Sequence, residues 1–199
     1  AFGASGLNPV LSIVLSMIVC TILGVVIERL AYRPLREAPS LAVLITAIGV
    51  SYLLQQVAQL SWSSNPKSFT SVVSGMKPVS LFGGQLTISA ETIVTIVACV
   101  VIMVVLMWFV NYTPAGHAML AVSEDRGAAQ LMGVNVNGTI SLTFAIGSAL
   151  AAIAGALLCS SYPTLQPTTG AMPGIKAFVA AVFGGIGSIP GAFVGGILL

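Results

Sequence analysis

A bundle of transmembrane helices is the fold class that the sequence predicts, on three observations. Seven Lys or Arg and five Asp or Glu make up 6% of the 199 residues, against roughly 25% in soluble domains. Positions 1–27, 38–66, 92–123 and 127–175 contain none of these residues, and each run exceeds the roughly 20 residues that cross a bilayer. The runs are continuously apolar instead of alternating every second residue, which excludes a membrane β-barrel, and the 57% hydrophobic content and mean hydropathy of +1.05 exclude disorder.

The first span is expected at 8–27, ending at a charge cluster of Glu28, Arg29, Arg33, Arg36 and Glu37 that carries Pro34 and Pro39, so 28–40 reads as a loop. The second span is expected at 41–60. A long polar segment follows at 61–90, in which Val79 to Leu81 and Gln85 to Ile88 have the composition of short strands. A third span at 91–110 has Ser89 at its N-cap and Glu91 in its first turn, where a carboxylate suits the helix dipole. The fourth is expected at 139–160. Pro, Gly and Thr then break the chain at 161–174. The last apolar stretch, 175–199, is interrupted by Gly184-Gly185, Gly187 and Pro190-Gly191, which predicts a broken or re-entrant helix near 187–190.

Loops 28–40 and 111–138 are separated by two spans and lie on one side. They carry Arg29, Arg33, Arg36 and Arg126, against Lys67, Lys77 and Lys176 opposite, and the arginine cluster beside span ends places them in the cytoplasm by the positive-inside rule. Loops 61–90 and 161–174 are then external.

Chemistry is sparse. Cys20, Cys99 and Cys159 are widely spaced and His117 stands alone, so neither a metal site nor a cofactor site is expected. The net charge of +2 gives no footing for nucleic acid. No Lys follows a Gly, so there is no phosphate loop and the chain is not expected to be an ATPase or another enzyme.

The informative segment lies in 111–138. Ser123 can cap a helix of about nine residues whose first turn holds Glu124 and Asp125, followed by Arg126, and which Gly133 ends as a left-handed C-cap. Ala128, Leu131 and Met132 share one face. Spacing leaves two readings open: a partner protein covers this ridge, or it packs beneath the chain's own span ends. Elsewhere Ser51, Gln55 and Gln59 share a face of the second span and serve either as interhelical hydrogen-bonding groups or as lining of a polar path. Gly147, Ala151 and Gly155, and again Gly187, Gly191 and Gly195, recur every fourth residue and offer small-residue faces for close helix packing.

Gly127-Ala128-Ala129, three residues and Gly133 resemble the Glu-Ala-Ala-x3-Gly element of permease subunits of ABC importers, with Gly127 at the glutamate position. Wider similarity lies in Glu28-Arg-Leu-Ala-Tyr-Arg-Pro-Leu-Arg36, Leu44-Ile-Thr-Ala-Ile-Gly-Val-Ser51, Ala121-Val-Ser-Glu-Asp-Arg126, Leu131-Met-Gly-Val-Asn135 and Phe183-Gly-Gly-Ile-Gly-Ser-Ile-Pro-Gly-Ala192. Together these resemble a permease subunit of a branched-chain amino-acid importer of the leucine/isoleucine/valine type. The resemblance implies further membrane segments before Ala1 and after Leu199. It also implies a bacterial or archaeal cytoplasmic (inner) membrane, a homologous second permease subunit, cytoplasmic ATPase subunits and an external solute-binding protein, with lipid around the whole and an amino acid as cargo. Residues 123–133 become the coupling helix in that frame. Transport of urea or a short amide is the neighbouring reading, and a stand-alone channel or ion-coupled carrier the one from another class.

Overall fold

A computed structural model describes residues 9–35, 39–63, 65, 67–68, 79–81, 86–162 and 164–199. They form eight α-helices: α1 (Pro9–Ile27), α2 (Ser40–Trp62), α3 (Ala90–Tyr112), α4 (Pro114–Glu124), α5 (Arg126–Leu131), α6 (Val136–Ser161), α7 (Ala171–Gly184) and α8 (Ile189–Leu198). Four short strands accompany them: β1 (Lys67–Ser68), β2 (Val79–Leu81), β3 (Leu86–Ile88) and β4 (Thr164–Leu165). Four stretches, Leu11–Leu35, Leu41–Trp62, Glu91–Tyr112 and Val136–Ser161, are long and apolar enough to cross a membrane, and α7 with α8 forms one further broken pair. The chain is thus an all-α, polytopic helical protein. It divides into two compact units, Ala1–Val72 with Asp125–Pro167, and Val73–Glu124 with Thr168–Leu199.

In the first unit α1 packs along α6. The contact is close because Gly24 has no side chain: a Cβ there would fall on the Ser148 hydroxyl and lie 2.6 Å from its Cβ. Tyr32 and Phe144 close the same seam with ring centroids 5.0 Å apart. The charge cluster expected as a loop is helical as far as Leu35. At Glu28 the winding loosens into a π-turn, Glu28–Tyr32, in which the Arg33 N–H donates to the Glu28 carbonyl, and then tightens into a 3₁₀ turn, Arg33–Leu35. The sequence reading took the charges and prolines of the cluster as the end of the helix, whereas the Glu28 side chain is fully buried and accepts a hydrogen bond from Ser141 at 2.8 Å. Arg36 and Glu37 lie outside the described residues. β1 and β4 add a two-residue antiparallel pairing, Lys67 opposite Leu165.

Overpacking a close-packed seam typically costs about 1–3 kcal/mol. Gly24→Ala is therefore expected to lower the thermal unfolding temperature of the detergent-purified protein, and Ser148→Gly in the same chain to restore it. A Gly24→Ala variant as stable as the parent would show that the seam can open without cost.

In the second unit β2 and β3 form an antiparallel ladder with Val79 opposite Ile88, at the short strands read from composition. Ser89 stands at the N-cap of α3, but its side chain makes no capping bond. After α3 the chain turns sharply into α4, which the sequence reading left as loop. Pro114 opens α4, at a position whose N–H needs no helical partner, and the Thr113 hydroxyl accepts from the Gly116 N–H at 3.1 Å. A Cβ at Gly116 would collide with the backbone of Phe109 and Val110, so this corner needs glycine.

The broken terminal element is a helical hairpin. α7 and α8 meet at a bend of 119° across Gly185–Ser188. Pro173 and Gly174, expected as loop, lie inside the first turn of α7, where a proline removes no helical hydrogen bond. Gly185 (φ +93°) and Gly187 (φ +99°) take left-handed backbone that side chains resist, and the Ser188 hydroxyl caps α8 by accepting from the Gly191 N–H at 3.2 Å.

Candidate functional site: the short helix α5

Residues 123–133 do not form one helix capped by Ser123. Ser123 and Glu124 end α4, and the Ser123 hydroxyl donates back to the Leu120 carbonyl at 2.7 Å. The cap is Asp125. Its extended backbone (φ −147°, ψ 113°) turns the carboxylate toward the helix start, where Oδ1 accepts from the Gly127 N–H at 2.7 Å and the Ala128 N–H at 3.1 Å. Both Ser and Asp are good cap residues, and a carboxylate also gains from the positive end of the helix dipole. With α4 holding Ser123, α5 is six residues, Arg126–Leu131, instead of about nine.

Gly133 closes the helix. At φ +85° it carries a Schellman motif, in which the Val134 N–H donates to the Ala129 carbonyl and the Gly133 N–H to the Gln130 carbonyl, both at 3.0 Å. Asn135 then caps α6 by accepting from the Gly138 N–H at 3.1 Å. Both ends of the joint between α5 and α6 are therefore fixed by hydrogen bonds, and α5 is carried as a fixed element on the start of the long helix.

This geometry sorts the faces of α5. Ala129, 4% exposed, is the inward anchor, whereas Leu131 and Met132 are 90% and 84% exposed and Ala128 is exposed beside them. Among the described residues, nothing covers Leu131 and Met132. A fixed ridge of apolar side chains offers a partner area to bury, and it offers no nucleophile or acid-base pair. Arg126 and Asp125 frame its start, and Glu124 and Ser123 belong to the helix before it. Among the described residues, no three His, Cys, Asp or Glu gather as a metal site.

Other residues singled out by sequence are placed as follows. On α2, Gln55 and Gln59 are half-buried and Ser51 is exposed. On α6, among the described residues, no atom beyond the helix's own backbone and the adjoining residues lies within 4 Å of where a Cβ of Gly147 or Gly155 would stand, and Ala151 is exposed, so the close approach of α6 to α1 runs through Ser148 and Gly24. The stripe at the C-terminus is corrected too. Gly187 lies in the turn, while Gly191 and Gly195 pack against the backbone of Gly184 and Ala180 in α7. Sequence reasoning missed Gly24 and Gly184 because neither belongs to its own periodic stripe. It missed the Glu28–Ser141 bond because nothing local links residues 113 positions apart.

The chain matches, over residues 1–199, the family described as branched-chain amino acid transport system / permease component. It is 44% identical over 188 residues to the high-affinity branched-chain amino acid transport system permease protein BraD of Pseudomonas aeruginosa, covering 92% of this chain and 60% of that protein. To the corresponding permease protein LivH of Escherichia coli it is 41% identical over 187 residues, with the same coverage. The fructose import permease protein FrcC of Rhizobium meliloti is 27% identical over 202 residues, or 98% of this chain and 54% of the relative. The chain thus spans about 60% of the length of the first two relatives. No solved structure matches it. The apolar helices, the hairpin and the match along the whole chain agree: this chain belongs to the permease-component family of branched-chain amino acid transport systems.

Proposed function

We propose that this chain is a membrane-embedded permease subunit of an ATP-driven importer of branched-chain amino acids, coupled through α5 to a separate ATPase. The observation that carries the coupling is the fixed, outward ridge of Ala128, Leu131 and Met132 on a helix capped at both ends. An apolar ridge on a segment outside the spans is stabilised by burial in a partner's groove. Switching between access states then follows if an ATPase contacts α5 differently in its open and closed forms, since only differential contact shifts an equilibrium. The cargo is inferred from relatives named for branched-chain amino acids. Ser51, Gln55 and Gln59 on α2 are the candidate path-lining groups, whose amides and hydroxyl suit the polar ends of an amino acid. The open face of Gly147, Ala151 and Gly155 is available to a second permease subunit. An external solute-binding protein would meet the 61–90 segment, where Trp62 is exposed and Phe69 lies outside the described residues.

Affinity purification of the full-length protein from its native membrane tests the whole reading. The expected result is recovery of an ATPase and a second permease of similar size, and uptake of leucine by the purified chain alone in vesicles would replace it with the carrier reading. Orientation has its own check in a variant whose three cysteines are replaced. A cysteine at Asn65 should react with an impermeant thiol reagent in intact cells, and one at Ser123 only after the cells are opened; both positions are exposed. The reverse pattern would invert the topology.

A further inference from the structure

Glu28 is the one charged side chain that is fully buried among the described residues, and it sits inside a stretch apolar enough to cross a membrane. A charge at such a position is costly, and if packing alone were at stake an apolar residue would serve as well or better. The neighbours of Glu28 show what the carboxylate is for. α1 touches α6 at Gly24 against Ser148, and one turn further on Glu28 accepts from Ser141. Four residues of α1 advance about 6 Å while seven residues of α6 advance about 10.5 Å. The difference of about 4.5 Å is the reach of a glutamate side chain, which takes hold of α6 nearer its start than the Gly24–Ser148 contact does.

That hold falls close to the docking helix. Ser141 lies six residues after Asn135, the cap of α6, and α5 is joined to that cap through the Gly133 motif. α5, α6, the π-turn and α1 all belong to one compact unit. A π-turn is a local winding often found at functional positions, and here it carries the gripping residue.

We propose that Glu28 is a positioning residue for coupling: through Ser141 it holds the start of α6, and the α5 helix borne on it, in register with α1. This rests on the coupling reading above. A push on α5, which α6 carries, is then shared with α1 through the Glu28–Ser141 hydrogen bond beside the packing of the two helices, and is not lost as rocking of the start of α6.

The test uses the complete importer in vesicles with leucine-loaded binding protein, reading leucine imported per ATP hydrolysed. Ser141→Ala removes only the hydroxyl, and Glu28→Asp shortens the reach by one methylene. Each is expected to lower that ratio about tenfold, the worth of one hydrogen bond to a charged group, with ATPase association and basal hydrolysis unchanged. Glu28→Gln, which keeps an acceptor oxygen at full reach but removes the charge, should fall between the parent and Ser141→Ala. The double variant Glu28→Asp/Ser141→Ala should be no worse than either single one. An unchanged ratio in Ser141→Ala, or losses that multiply in the double variant, would overturn the proposal. So would equal loss of assembly and coupling, which would reduce the bond to a packing contact. If Glu28→Asp fails to insert, Ser141→Ala and Glu28→Gln decide. Failure of the coupling reading looks different: the ATPase would then bind regardless of substitutions on α5.

Discussion

Leu131→Asp is expected to leave the membrane subunit inserted and folded and to abolish its association with an ATPase. Leu131 is 90% exposed, so the substitution removes almost no contact within the chain. The caps on either side, the Asp125 carboxylate and the left-handed Gly133, do not involve its side chain. An acidic group in the last turn opposes the helix dipole by about 0.3–1 kcal/mol, too little to unfold a helix held by two motifs. In a partner's apolar groove the same carboxylate must shed its water without gaining a counter-charge, at a cost of several kcal/mol, on the order of a thousandfold in affinity. Leu131→Ala separates loss of contact from the insertion of charge, and should weaken association by about 1.5–3 kcal/mol if the side chain is fully covered. Glu124→Gln, on the preceding helix, should change little, because exposed charges contribute weakly. The readouts are co-purification of the ATPase and the stimulation of hydrolysis by loaded binding protein. Normal assembly and transport by Leu131→Asp would separate α5 from the motor and leave the ridge for another partner.

The contrast between Leu131 and Glu28 shows which parts of this protein are legible in its sequence. Charge-free runs announce the apolar helices because a bilayer excludes charge from whole segments, and glycine with proline announces the break between α7 and α8 because both disrupt helical hydrogen bonding locally. The ridge on α5 was legible for the same reason, since positions three and four apart share a face whatever surrounds them. Glu28 was not. In sequence it is the first member of a charge cluster that reads as a loop, and its hydrogen-bonding partner is a hydroxyl 113 positions later. The cap of α5 failed differently: Ser123 and Asp125 are both good caps, and the choice depended on how far α4 extends, which spacing does not encode. The glycines failed in a third way. Periodicity picked Gly147 and Gly155, whose faces are open, while Gly24 and Gly184 reveal their role only once a neighbouring backbone arrives.

At the hairpin the glycines decide whether two helices can exist side by side at all. Gly184 and Gly191 face each other so closely that a Cβ on either would strike the other's backbone carbonyl, and one on Gly195 would strike the carbonyl of Ala180. Backbone cannot rotate aside as a side chain can, so relief requires α7 and α8 to separate. Gly191→Ala is accordingly expected to cost about 1–3 kcal/mol, and Gly191→Leu to prevent the hairpin from closing. Separation would strand the turn at Gly185–Ser188, whose irregular backbone is tolerated at membrane depth only while protein or water surrounds it. Gly196→Ala is the control, because among the described residues no neighbouring element lies within 4 Å of its Cβ position, and alanine favours a helix interior by about 1 kcal/mol over glycine. Thermal unfolding of the detergent-purified variants should therefore rank Gly196→Ala at or above the parent, Gly191→Ala below it, and Gly191→Leu lowest, with little folded protein recovered. If Gly191→Ala matched Gly196→Ala, the backbone contact between α7 and α8 would be dispensable, and the hairpin would have to be held by its flanking apolar side chains alone.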